Sequence, residues 1–150
     1  MNRRAFVFTL ALSAAALAMT TLNSAQARAF TGTTKGVAIN GYDPVAYFTE
    51  GKPVKGNASF SADWEGVKLH FASAANRDTF LSNPTKYAPK YGGHCAFAAA
   101  KGYIAKTVPE AFSIVDGRLY LNFSLGVKKQ WDGNRTEFIK SADKNWPEIK

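Results

Sequence analysis

One cysteine and two histidines bound the chemistry open to this 150-residue chain. Cys95 follows Gly92-Gly93-His94 and stands where the sequence predicts the start of a short helix. Backbone N–H groups and the helix dipole would favour a thiolate there, making Cys95 a low-pKa thiol or a soft-metal ligand. The competing reading is a buried small hydrophobe, since free cysteine is among the most buried residue types. His94 adjoins Cys95, and His70 lies between Leu69 and Phe71, pointing to the opposite face of a strand. Sequence neighbours converge on one point only if the backbone turns, and the glycine pair permits such a turn. Cys95, His94 and His70 together would make a Cys-His₂ set suited to copper or zinc. Gly92, Gly93, His94 and Cys95 form the candidate site for a small ligand.

Several classes of chemistry are excluded. A single cysteine cannot form an internal disulfide, a Cys₂His₂ or Cys₄ zinc site, a CxxC redox pair or a CxxCH haem attachment. No P-loop, GxGxxG, GxSxG or HExxH is present, which leaves no nucleotide site and no familiar hydrolase centre. The acidic residues are scattered singly, without a carboxylate pair for acid–base work. Tyr42, Tyr47, Tyr87, Tyr91, Tyr103, Tyr120, Trp64, Trp131 and Trp146 could line a pocket, although core packing with tethered hydroxyls is their more ordinary use. The leading expectation is a non-enzymatic binding module for a small ligand or metal. A redox protein using Cys95 as a reactive thiol, or a structural accessory domain, is the alternative.

The amino terminus reads as an export signal. Residues 1–4 are a short basic region, residues 5–19 an apolar stretch broken by Thr9 and Ser13, and Ala25-Gln26-Ala27 and Ala27-Arg28-Ala29 overlapping A-x-A sites. The apolar stretch is shorter than the roughly 20 residues a bilayer span needs, so no stable membrane span is expected after cleavage. Asn2-Arg3-Arg4-Ala5-Phe6-Val7 also has the pattern of a twin-arginine signal, beside the ordinary Sec reading. The expected location is periplasmic or secreted, with an envelope protein as the candidate macromolecular partner. The whole chain carries 19 Lys+Arg against 11 Asp+Glu, a formal charge of +8. Cleavage after Ala27 or Ala29 leaves 123 or 121 residues, with 17 or 16 basic residues and a charge of +6 or +5. A basic exported surface faces an anionic envelope rather than nucleic acid, so no nucleic-acid partner is expected. Cleavage also removes Met1 and Met19, excluding a Met-rich copper(I) site.

The remaining sequence must position these side chains. Val37-Ala38-Ile39 reads as a short strand, and Asp43 as the cap of a short helix through Phe48, ended by Gly51. Two hairpins follow the alternating rule. Phe60, Ala62 and Trp64 turn at Glu65-Gly66 into Val67, Leu69 and Phe71, pairing Asp63 with Lys68 and Ser61 with His70. Phe112 and Ile114 turn at Asp116-Gly117 into Leu119, Leu121 and Phe123, leaving Ser113, Tyr120 and Asn122 on the other face. Ser73 caps a helix through Leu81 with Phe80 and Leu81 inward, and Asn83-Pro84 stops it. Gly92-Gly93 is a flexible elbow before a short helix from Cys95 to Ala100. Ser124 caps a helix through Trp131, and Asn134 with Glu137 resembles a capping box for a last helix. Strands and helices in mixed order give an α+β class: a small single domain whose two hairpins form an antiparallel sheet packed by short helices.

The stretch from Gly41 to about Gly102 resembles the YHS domain family. Gly41-Tyr42-Asp43-Pro44-Val45, the hairpin into Leu69-His70-Phe71, the helix carrying Phe80, and Asn83-Pro84-Thr85-Lys86-Tyr87 carry the resemblance. The tail is similar to an exported branch of that family, through Tyr91-Gly92-Gly93-His94-Cys95-Ala96, Val115-Asp116-Gly117-Arg118-Leu119-Tyr120-Leu121-Asn122 and Ala142-Asp143-Lys144-Asn145-Trp146-Pro147. The resemblance implies residues 30–150 as one YHS-like domain with a C-terminal extension, after a signal peptide at 1–29. It implies a small α+β unit, often metal-associated through three cysteines. The matching positions here are Ala46, Ala72 and Asn76, so the fold carries over and the metal site does not.

Overall fold

The computed structural model describes residue 30 and residues 36–149; the export-signal reading lies outside them. The first core forms around helix α1 (Ala46–Thr49), strands β1 (Asn57–Trp64) and β2 (Val67–Phe71), and helices α2 (Ala74–Ser82) and α3 (Pro84–Tyr87). Helix α4 (Ala96–Ala100), strands β3 (Phe112–Val115) and β4 (Arg118–Leu121), and helices α5 (Leu125–Asp132) and α6 (Arg135–Asn145) complete the α+β domain. Local sequence explains most of these elements. Asp43 Oδ1 accepts from the backbone N–H groups of Val45 and Ala46, at 2.8 and 3.3 Å, and so starts α1. Ser73 Oγ accepts from Asn76 N at the start of α2, and Ser124 Oγ from Val127 N at the start of α5. Asn134 makes no side-chain cap bond, so the capping box expected with Glu137 is not formed.

Both hairpins have the expected register. β1 pairs Ser61 with His70, Asp63 with Lys68 and Trp64 with Val67, and its ladder is irregular between Asn57 and Ser61. β3 pairs Ser113 with Tyr120 and Ile114 with Leu119. Glu65-Gly66 and Asp116-Gly117 each place two residues at positive φ, the turn geometry that matches strand twist. Each hairpin is its own two-stranded sheet, so the expected common sheet is replaced by two. Apolar packing joins them: Val67, Leu69 and Phe71 share one core with Leu119, Leu121, Tyr47 and Phe80.

β4 is buried on both sides. Leu119 and Leu121 enter that first core, whereas Tyr120 enters a second with Tyr91, Ala96, Ala99, Trp131 and Ala142. The face expected to remain outside the core is therefore inside, because the C-terminal helices cover it. Ile114, near the turn, and Phe123, beyond the strand, are instead exposed. Leu81 is exposed as well, contrary to expectation, since adjacent helical residues diverge by about 100° and Phe80 takes the inward direction.

The largest departure is at residues 37–41. Only Val37 makes a strand-like bridge, to Lys68, and the next residues wind left-handed: Ile39 at φ 44°, Asn40 at 58° and Gly41 at 74°. The same path recurs at Tyr91, Gly92 and Gly93, with φ of 55°, 60° and 81°. The glycine pair is thus a buried left-handed turn. Phe30 joins the two turns, donating its N–H to Gly92 O at 2.6 Å and accepting from Ile39 N at 2.8 Å. Left-handed backbone strains any residue with a Cβ, most of all β-branched Ile39.

A Cβ added to Gly93 would lie 2.5 Å from Ile39 Cγ2, in a backbone region already unfavourable for an L-residue. Gly93→Ala is expected to lower unfolding stability by about 3 kcal/mol in a urea titration. A loss under about 1 kcal/mol would mean that the paired turns yield easily.

Candidate functional site

The predicted site residues do not converge. His70 stands on β2 with its Nδ1 3.5 Å from where a side chain on Gly41 would begin. Burial lowers its pKa, and the ammonium groups of Lys55 and Lys68 lower it further. A metal cation would meet the same two charges. His94 follows the left-handed turn, its ring 5.6 Å from Phe30 and 5.9 Å from Trp146. Among the described residues no group of three His, Cys, Asp or Glu could hold a metal ion, so the Cys95, His94, His70 set is not assembled.

Cys95 is buried, with 1% of its surface exposed. Its N–H donates to Ala105 O, it forms a parallel bridge with Leu121, and its thiol donates to Asn122 Oδ1 at 3.6 Å. Asn122 Oδ1 also accepts from Phe97 N at 3.1 Å. Burial pushes the thiol pKa up, outweighing the backbone N–H groups of Ala98, Phe123 and Phe97 that favour the thiolate. The five-residue α4 does not reverse that balance, and the expected low-pKa thiol is replaced by a protonated, buried one.

Nor do the residues present fit the metal that the resemblance implies. Ala46, Ala72 and Asn76, the three positions matching that family's cysteines, all meet one buried carboxylate. Asp43 Oδ2 accepts from Ala72 N at 2.8 Å and from Asn76 Nδ2 at 2.7 Å, while Oδ1 takes Val45 N and Ala46 N. Four N–H donors satisfy the carboxylate, and no thiol or imidazole shares the cluster. Hydrogen bonds occupy the place where thiolates would stand.

A pocket of about 720 Å³ lies against the second left-handed turn. Trp64 and Glu65 come from the first hairpin turn, Pro84 and Thr85 from α3, and Ala88 to Gly92 from the segment that follows. Arg118 opens β4, and Asp143, Trp146 and Pro147 come from the chain's end. Its volume lies within the usual range for small-molecule sites. Tyr91 Oη donates to Asp143 Oδ1 at 2.9 Å, and Lys90 Nζ lies 3.4 Å from the same oxygen. Burial first, then the bond to Asp143, raises the Tyr91 pKa, so the hydroxyl keeps its proton. Arg118 Nη1 donates to Thr85 O at 2.7 Å.

Of the predicted ligand-site residues, Gly92 lines this pocket and His94 packs behind its Trp146 wall. Gly93 backs onto Ile39, and Cys95 is buried elsewhere. Tyr91, Trp64 and Trp146 stand among the aromatic pocket candidates of the sequence. Lys90, Arg118 and Asp143 were not among the candidate site residues, because they come from separate segments and are single charges among many.

Two measurements test these assignments. Asp43→Asn replaces one acceptor oxygen by an N–H₂ group facing N–H donors, and is expected to cost about 2–4 kcal/mol in chemical denaturation; an unchanged midpoint would show the network to be dispensable. Cys95 should react slowly with a thiol reagent in the native protein and rapidly in denaturant. Because folding raises its pKa from 9.0, stability is complete below about pH 9 and falls as pH rises past it; Cys95→Ala should flatten that first loss. Fast native labelling at neutral pH would restore the reactive-thiol reading.

No curated protein and no solved structure matches the chain. The segment running from the end of the Asp43 cap through the first hairpin to the pocket's Tyr91 does have a match: residues 45–91 match the YHS domain.

Proposed function

We propose that this chain is an exported, non-enzymatic binding module that holds a small organic molecule in the pocket beside the Tyr91–Gly92 turn. One observation carries the reading: about 720 Å³ of concave surface, bounded by Trp64, Tyr91 and Trp146 together with a few charged side chains, on a backbone held in a strained conformation. YHS domains are often linked to metal binding, but the Asp43 network and the separation of His70, His94 and Cys95 favour an organic ligand here. Export is supported by the basic, apolar and A-x-A order of residues 1–29, and the tail's similarity to the exported branch agrees with it. Among the described residues no helix is long and apolar enough to cross a membrane. A periplasmic or secreted location follows from the same reading.

A panel of single- and double-ring compounds titrated into ¹⁵N-labelled protein tests the pocket. Binding compounds should shift the Trp64 and Trp146 indole signals and the Gly92 amide together, and Trp146→Ala should weaken them by about tenfold or more. Shifts scattered over the surface, or none, would remove the pocket as a binding site.

A further inference from the structure

The charges around the pocket are not balanced evenly, and the imbalance names a ligand class; the argument rests on the binding reading just given. Asp143 is compensated within the protein, by the Lys90 ammonium and the Tyr91 hydroxyl. Arg118 is not. Its one hydrogen bond among the described residues goes from Nη1 to a neutral carbonyl, Thr85 O, and no carboxylate pairs with it there. That bond engages Nη1 and leaves the Nε–Nη2 edge without a hydrogen-bond partner among the described residues. This edge matches a carboxylate bidentately, and arginine is the residue best suited to that geometry. Glu65 is the remaining acid of the lining, exposed at the tip of the first hairpin, and it forms no ion pair with Arg118. The net charge of the chain is positive, so the surrounding field draws anions toward the surface.

The apolar side of the lining is equally specific in kind. Trp64 and Trp146 offer flat indoles, and Tyr91 is held by Asp143 and set among Tyr120 and Trp146 at ring distances of 5.9 and 5.6 Å. Such surfaces favour a planar ring over a flexible chain. We infer that the pocket takes a small aromatic carboxylate, its ring against the tryptophans and its carboxylate on Arg118.

Isothermal titration of the purified full chain with 2-naphthoate and with its neutral isostere 2-naphthamide decides the matter. Naphthoate should bind about tenfold or more tightly than naphthamide, the ordinary value of a charge-assisted bidentate pair. Arg118→Gln should erase the difference between the two probes, and Arg118→Lys should restore part of it. Equal binding of both probes by the unaltered protein would overturn the carboxylate assignment and leave the pocket reading intact. Binding of neither would overturn both. The two-probe comparison needs no variant, so a folding defect at position 118 cannot obscure it.

Discussion

A buried carboxylate without a cationic partner among the described residues organises the first half of this fold. Asp43 is fully buried, and its two oxygens receive four N–H groups from α1, from the residue after β2 and from α2. Burying a carboxylate is costly unless every lone pair finds a donor. Here the donors come from three segments that must therefore sit in one relative arrangement. The first hairpin and α2 take their positions from that requirement, and Phe71 then meets Phe80 at a ring distance of 5.4 Å. The same three segments supply the positions at which a metal-binding relative would place thiolates.

The second half depends on β4. Because Leu119 and Leu121 face one core and Tyr120 the other, the strand is a partition rather than a surface. The pocket lies where the two halves adjoin, with Trp64 and Thr85 from one side and Asp143 and Trp146 from the other. Neither half could form it alone. The second core is also the less completely satisfied: Asn122 Nδ2 and Trp131 Nε1 are buried without a hydrogen-bond partner among the described residues. Asn122 cannot turn its amide to relieve this, because Phe97 N–H and the Cys95 thiol both need its oxygen.

Local chemistry was legible in the sequence, and convergence was not. The registers of both hairpins followed from period-two alternation around Glu65-Gly66 and Asp116-Gly117, which depends on a few adjacent residues. The Ser73, Ser124 and Asp43 caps were readable for the same reason. Burial on both faces of β4 was hidden, since Tyr120 and Asn122 look like an outer face until α5 and α6 cover them. The turn at 37–41 was hidden too, because Val-Ala-Ile favours strand and only tertiary packing holds Ile39 left-handed. Gly92, singled out through its glycine pair, lines the pocket. Arg118 and Asp143 belong to the pocket only by virtue of the complete fold, and His70 and Cys95 were separated by it.

The two left-handed turns also sort side chains by necessity. At φ near +60° the chain asks for mirror-image stereochemistry, which ribosomal synthesis can approximate only with glycine, the residue without handedness. Glycine stands at 41, 92 and 93. At Ile39, Asn40 and Tyr91 the chain keeps an L side chain in spite of the strain. Each of those three has work that glycine could not do: Ile39 fills the first core, Asn40 donates to Thr107 O, and Tyr91 holds Asp143 at the pocket wall. In these two turns strain therefore marks the positions where a side chain does what glycine could not.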